Sequence, residues 1–241
     1  CEVEFEEHFN LTHNSINNIN YNTHIEEGAV INHNIFQNFL NSNKLFLTSN
    51  TVCEKNSSYN QNTYNFSDGF VRNFHQAHLN GEFANVSLKG CFFLKDKNVC
   101  SNKTNIIHNA EHCVSDQTYK GILNGHSKAN YYSNTFVSEK AQKTEGYQLS
   151  KGILLTNNCS FFSKPELRIF ADDVKCSHGS TIGPVDESAL YYLRSRGINK
   201  YEAMKMIISS FIEEDLQNLD KNIAEQISNY LSNYLKSLEN D

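Results

Sequence analysis

The apolar positions of this chain follow two different periods, which meet near residue 183. From Cys1 to about Gly183 they come in short or alternating runs separated by polar clusters. Val30-Ile31 with Ile35-Phe36, Leu45-Phe46-Leu47, Phe83 to Leu88, Cys91 to Leu94, Tyr131 to Val137, Ile153-Leu154-Leu155 and Leu167 to Phe170 are examples. Runs this short, rich in Phe, Ile, Val and Tyr, predict β-strands. Asparagine is abundant, while glycine (11) and proline (2) are scarce. Tight hairpin dipeptides are few: Asp68-Gly69, Asn80-Gly81 and Asn124-Gly125 are the clear cases. Short strands joined by polar bends, with asparagines stacked in the turns, predict a solenoid. No fixed-length repeat is legible, so pattern alone leaves a β-sandwich open. Nucleotide bias in the source genome is a second explanation for the asparagine content.

After Gly183-Pro184 the period becomes helical. Asp186 is a good N-cap, and Glu187 in the first turn suits the positive end of the helix dipole. Leu190 and Leu193 share a face, and Gly197 is placed to stop the helix. Asn199 is expected to start a second helix, with Glu202 completing a capping box and Ala203, Met206, Ile207, Ser210 and Phe211 as its inner stripe. A third helix is expected from about Leu216, with Leu219, Ile223, Ile227, Tyr230, Leu231, Tyr234 and Leu238 along one side. The expected organisation is a β core over 1–183 and a small helical domain over 184–241.

Composition narrows the function. A chain of 241 residues can bury one substantial core. A formal net charge of −6 argues against nucleic acid as the main partner. No apolar run approaches the roughly 20 residues that cross a bilayer, so no membrane span is expected. No secretory signal is visible, and the start at Cys1 rather than Met suits a fragment. Seven cysteines without CxxC pairs predict reduced thiols in a cytoplasmic setting, most of them buried.

Candidate chemistry concentrates in Ala171-Asp172-Asp173-Val174-Lys175-Cys176-Ser177-His178-Gly179-Ser180-Thr181. Cys176 and His178 stand two apart at the end of a strand-like run, just before an expected glycine turn. On a strand, positions i and i+2 share a face, so the thiol and imidazole project side by side. Both are ligands for a soft or borderline metal. Two ligands make half a site, because zinc and iron–sulfur clusters usually take about four. The rest must come from elsewhere in the fold or from a second chain. Lys175 is placed to lower the thiol pKa if it turns toward it, and Asp172 and Asp173 to orient the imidazole. The plain alternative is a buried cysteine and a turn-capping histidine.

The stretch Lys164-Pro165-Glu166-Leu167-Arg168-Ile169-Phe170, running on through Asp-Val-Lys-Cys-Ser-His-Gly to Ile182-Gly183, resembles the C-terminal signature of the SufB/SufD family, on its SufD branch. Asp186 to Ile198 resembles the family's first C-terminal helix. Tyr119-Lys120-Gly121-Ile122-Leu123, Ala141-Gln142-Lys143-Thr144 and Leu154-Leu155 match in order. The resemblance covers about Ile107 to Glu214; the first hundred residues match loosely, and Thr144-Glu145-Gly146-Tyr147 departs from the usual pattern. It implies a right-handed parallel β-helix followed by a helical domain. It also implies a non-enzymatic scaffold in the SUF iron–sulfur cluster assembly machinery, working with SufB and with the ABC-type ATPase SufC. SufB would pair with the edge of the β-helix. SufC would dock on the C-terminal helices, through Leu190, Tyr191, Leu193, Arg194, Arg196 and Gly197. His178, with Cys176 beside it, would contribute to a transient iron–sulfur cluster site shared with SufB. No nucleotide is expected on this chain, which has no Walker loop, GxGxxG fingerprint or nucleophile elbow.

Other clusters have weaker claims. His108, Glu111, His112 and Cys113 would suit zinc only on a helix, and their setting predicts a solenoid turn with bonds to backbone. His75 and His78 are weaker still, and His8, His13, His24 and His33 show no ligand spacing. Two competing functions stay open from sequence alone. One is a stand-alone β-helix enzyme acting on polysaccharides, which needs a groove lined with carboxylates. The other is a zinc-binding structural module.

Overall fold

A computed structural model describes residues 1–11, 14–39, 43–216 and 221–237, with the side chains of 213–216 and 237 left aside. Among the described residues, thirteen strands alternate between two sheets. Odd strands form a seven-stranded sheet: β1 (Glu2–Phe9), β3 (Val30–Gln37), β5 (Ser58–Asn65), β7 (Asn85–Leu94), β9 (Val114–Leu123), β11 (Thr144–Leu154) and β13 (Val174–Pro184). Even strands form the other: β2 (Ile16–Ile25), β4 (Asn43–Cys53), β6 (Gly69–Leu79), β8 (Val99–His108), β10 (Lys128–Val137) and β12 (Ser160–Ile169). Every pairing is parallel, giving a β-solenoid of about six turns. Three helices follow: α1 (Glu187–Ser195), α2 (Lys200–Leu216) and α3 (Lys221–Ser237).

The solenoid resolves the ambiguity with a sandwich because no hairpin joins its strands. Asn80-Gly81 and Asn124-Gly125 lie in corners instead. At Gly125 φ is +65°, and at Gly81 an added Cβ would meet the Lys55 nitrogen at 1.9 Å, so both corners need glycine. The runs Phe83 to Leu88 and Cys91 to Leu94 are one strand, β7, entered from a corner where Phe83 takes φ 61°.

Side chains alternate in and out along each strand, but the interior is not uniformly apolar. One corner packs Ile25, Tyr59, Leu79, Val86, Leu88 and Ile106; the other packs Leu45, Val71, Phe92, Leu94, Tyr119 and Tyr131. Burying each of these contributes roughly 1.5–3 kcal/mol. Between them runs a band of paired polar groups. Asn73 Nδ2 donates to Asn102 Oδ1 at 2.9 Å, Gln37 Nε2 to Asn73 Oδ1 at 2.8 Å, and Gln117 Nε2 to Thr135 Oγ1 at 2.8 Å. Most of these groups stay buried because they find a partner, since an orphan costs roughly 1–3 kcal/mol; Gln117 Oε1 and the Tyr119 hydroxyl are buried exceptions without one.

Asparagines do stack, mostly along strands rather than in turns. Asn62 donates to Asn34 at 2.9 Å and Asn60 to Asn32 at 2.9 Å on β3–β5. Asn134 donates to Asn105 at 2.6 Å, and Asn105 to Gln76 at 3.0 Å, across β6, β8 and β10. Each ladder bond joins direct register partners and would be lost on a one-residue slip, so these ladders help fix the register.

The helices pack on the outer face of the seven-stranded sheet. Ile208, Ile212, Ile223, Ile227, Leu231 and Leu235 cover Phe36, Tyr64, Cys91, Phe93 and Ile122. Phe66 stacks on Tyr230 at 4.4 Å, and Asn38 donates to the Tyr230 hydroxyl at 2.6 Å. The α2 stripe is rotated from expectation: Ala203, Ile208 and Ile212 are buried, whereas Met206 and Ser210 are exposed. Leu216 ends α2 rather than starting α3. Leu219, Leu238 and His13 lie outside the described residues. The helix caps form, but the second helix shows half of the expected capping box: among the described residues the Asn199 side chain caps Glu202 N, and no return bond runs from the Glu202 carboxylate to Asn199 N. Asp186 Oδ1 accepts from Ser188 N and Ala189 N, Gly197 sits at φ +85°, and Asn199 Oδ1 accepts from Glu202 N at 2.9 Å.

Candidate functional site

Cys176 and His178 lie on β13, the last strand of its sheet. One edge of β13 pairs with β11; the other ends the sheet. The strand runs straight through Gly179, so the expected glycine turn is absent and the pair sits mid-strand. Register fixes the direction of both side chains. Cys176 stands opposite Gly146 and His178 opposite Gln148, and both partners are buried, inward-facing residues of β11. The thiol and imidazole therefore share the inner face of the terminal turn, where no further turn covers them. His178 is exposed and Cys176 is half-buried against Val137, Ala141 and Ala171.

The floor beneath the pair is rigid and polar. Gln148 Nε2 donates to Thr135 Oγ1 at 2.8 Å and to the Glu166 carbonyl at 3.1 Å, while its Oε1 accepts from Ser133 Oγ at 3.2 Å. One amide thus joins β10, β11 and β12 beside His178. Further along, Ser150 Oγ donates to Ser180 Oγ at 2.9 Å. Gly146 leaves open the space facing the sulfur: a Cβ there would stand 3.3 Å from Sγ.

Partial burial pushes the Cys176 thiol above its ordinary range, opposed by a hydrogen bond from the Gly146 backbone. Lys175 does not counter this. It points to the outer face, where its Nζ lies 2.9 Å from Glu145 Oε1. That ion pair holds the Glu145 carboxyl low, and Tyr147 donates to the same carboxylate at 3.0 Å. Asp172 and Asp173 are exposed at the corner before β13, with Asp173 engaged through its backbone by Gln142 and Lys143. A cavity of about 320 Å³ opens on that outer side, lined by His112, Lys143, Glu145, Asp173 and Lys175 among others. It excludes both Cys176 and His178.

The other histidines do not converge. His108 is buried, 2.9 Å from Ser115 Oγ, and burial lowers its pKa to about 4. His112 occupies a corner at φ 59°, its backbone N–H donating to Gln142 O and its ring stacked on Phe83. His75 is buried between Ser49 and Gln61, with its pKa lowered to about 3. Among the described residues no three of His, Cys, Asp or Glu gather as a metal-holding group. Cys176 and His178 thus remain two donors on an edge.

Residues Leu190, Tyr191, Leu193, Arg194, Arg196 and Gly197 belong to α1 and its C-terminal turn. The helix buries none of its side chains, and Tyr191 is 77% exposed. Arg196 lies over the Tyr192 ring at 5.3 Å. Sequence reasoning missed Gly146 and Gln148 as neighbours of the pair, because only the register of β11 against β13 brings them there.

Fold and site together define a parallel β-solenoid whose final turn is open, edged by strands with unpaired backbone groups and carrying a thiol–imidazole pair. Residues 1–211 match the family described as SUF system FeS cluster assembly, SufBD core domain, and the chain belongs to that family. It is 38% identical over 136 residues to the iron-sulfur cluster assembly protein SufD of Escherichia coli (strain K12), covering 56% of this chain and 32% of that protein. A SufBD family protein of Synechocystis is 30% identical over 205 residues, covering 84% of this chain and 45% of that one. The iron-sulfur cluster assembly protein SufB of Bacillus subtilis is 25% identical over 218 residues, covering 88% and 46%. The chain spans about a third to under half the length of these curated relatives.

Proposed function

We propose that this chain is a SufD-type scaffold subunit, without catalytic activity of its own, that completes an iron–sulfur assembly site only when a SufB subunit closes over its last turn. The reading is carried by one observation: His178 is exposed beside Cys176 on the uncovered inner face of the terminal strand. A half-site placed there is available to ligands from a second chain and insufficient without them. The unpaired edges of β12 and β13 supply the means of joining, by extending the sheets into the partner's. Asp172 and Asp173 would act on the assembled site from the corner, and Lys175 through the outer face.

The solenoid over 1–183 would serve the SufB contact and the helical part over 184–241 the SufC contact. In the latter, Leu190, Tyr191, Leu193, Arg194, Arg196 and Gly197 would form the docking surface for one SufC ATPase. An unburied helix with two exposed tyrosines and an arginine, capped by a second arginine, has the composition of a binding hot spot. ATP-driven pairing of two SufC subunits would strain the SufB–SufD junction and expose the cluster site, coupling nucleotide to assembly. The setting would be the cytoplasm, with the cluster passing through as cargo.

Co-expression with candidate SufB and SufC subunits tests the partners. The native chain is expected to co-purify with both. Tyr191→Ala with Arg194→Ala is expected to release SufC while retaining SufB. Purification of this chain with neither subunit would overturn the assignment.

A further inference from the structure

The outer face of the six-stranded sheet is basic and aromatic, in a chain whose net charge is −6. Its strands carry Lys44, Arg72, Lys103, Lys128, Lys164 and Arg168, all exposed. Of the chain's 27 acidic residues these six strands hold one, Glu166, and Arg168 already engages it at 2.7 Å. Among the described residues, Lys44, Arg72, Lys128 and Lys164 enter no ion pair. Register aligns three of the cations on a diagonal. Lys44 pairs with Phe70, two positions before Arg72; Arg72 pairs with Ser101, two positions before Lys103. Strand spacing and rise put successive charges about 8 Å apart.

Aromatic pairs fill the gaps: Phe46–Phe70 at 5.5 Å, Tyr132–Phe162 at 5.8 Å and Phe136–Phe170 at 5.4 Å. Phe162 is 53% and Phe170 62% exposed. Among the described residues, the helices cover the opposite sheet and none packs on this one.

We propose that this face docks an acidic protein partner, one presenting carboxylates and apolar side chains together. Charge complementarity selects the sign of the partner and would steer its approach. The ring geometry selects protein over nucleic acid. Stacking of bases needs free ring faces. Here the paired rings lean on one another at tilts of 42°, 52° and 47°, and Lys103 Nζ stands 5.1 Å over Phe74. What is offered is ring edges between ammonium and guanidinium groups, which suits Leu- and Glu-bearing surfaces. The proposal stands apart from the role assigned to Cys176 and His178.

The test is fluorescence anisotropy with three labelled probes: a 20-residue peptide alternating Glu and Leu, an all-Glu peptide of equal length, and a 20-nucleotide single-stranded RNA. The native chain is expected to bind the Glu–Leu peptide at least five-fold tighter than either other probe, with at least ten-fold weakening between 50 and 300 mM salt. The variant Arg72→Glu, Lys103→Glu, Lys128→Glu and Lys164→Glu, with an unchanged circular dichroism spectrum, is expected to lose at least ten-fold. Phe162→Ser with Phe170→Ser should weaken the same peptide and leave the salt dependence in place. Equal binding by the charge-reversed variant, tighter binding of RNA, equal binding of the all-Glu peptide, or no binding by the native chain at 1 mM peptide would each overturn the proposal.

Discussion

Gly146 and Cys176 face each other across the β11–β13 pair, and the sulfur borders the space that a side chain at 146 would fill. An added Cβ would stand 3.3 Å from Sγ, 3.4 Å from Thr135 Cγ2 and 3.6 Å from Ser115 Oγ. These contacts are tight but can yield, because Cys176 sits on the last strand. Gly146→Ala is therefore expected to cost less than about 1.5 kcal/mol in a denaturant titration. A loss above 3 kcal/mol would show that the terminal turn is as closed as the middle of the solenoid.

Gly121 supplies the contrast. A Cβ there would lie 2.2 Å from Phe92 Cε2, inside the core. Gly121→Ala is expected to destabilise by about 3 kcal/mol through overpacking. Combined with Phe92→Leu, the loss should fall short of the sum of the two single losses, since the second change makes room for the first. Strict additivity in the thermal melts would contradict the packing described.

The buried imidazoles make the fold sensitive to acid. Burial lowers the pKa of His75 to about 3 and that of His108 to about 4. Unfolded, each histidine titrates near 6.5, so below that pH the unfolded chain binds protons that the folded chain refuses. The stability tied to these neutral rings is complete above pH 6.5 and is lost as pH falls toward 4 and then 3. The slope is about 1.4 kcal/mol per pH unit for each ring. Urea titrations at pH 7 and pH 5 should differ by about 4 kcal/mol more in the native chain than in His75→Asn with His108→Asn. Equal differences would mean that neither ring is buried neutral.

Thiol accessibility separates the cysteines. Cys53, Cys91, Cys100, Cys113 and Cys159 are buried, Cys1 is exposed and Cys176 intermediate. Burial pushes Cys53 and Cys100 to about 12 and Cys113 to about 11. A short iodoacetamide pulse at pH 8, read by peptide mass spectrometry, is expected to modify Cys1 first and Cys176 next. Early labelling of Cys53, Cys100 or Cys113 would contradict the solenoid interior.

The two periods along the chain foretell the solenoid-then-helix order, but not every strand. β3, β4, β7 and β10 are visible because their runs are apolar. β5, Ser-Tyr-Asn-Gln-Asn-Thr-Tyr-Asn, is not, because it turns Gln61, Thr63 and Asn65 into the polar band of the interior. The repeat is hidden by uneven corners: neighbours stacked one turn apart are separated by 28 positions at Asn34–Asn62, 29 at Asn105–Asn134 and 30 at Ser150–Ser180. Cys176 and His178 were legible as a pair because two-residue spacing needs only a strand. Gly146, Gln148 and the basic face were not, since each depends on register between strands distant in sequence.

The proposed half-site works only if the imidazole at the open edge is a ligand in the assembled site. His178 is exposed and its loss leaves no buried cavity, so His178→Ala is expected to fold and to join SufB and SufC normally. The decisive measurement is iron per complex after anaerobic co-purification of this chain, native or His178→Ala, with SufB and SufC. Iron bound by the native complex and reduced at least ten-fold in an intact His178→Ala complex is the predicted result; native iron loading in the variant would contradict it.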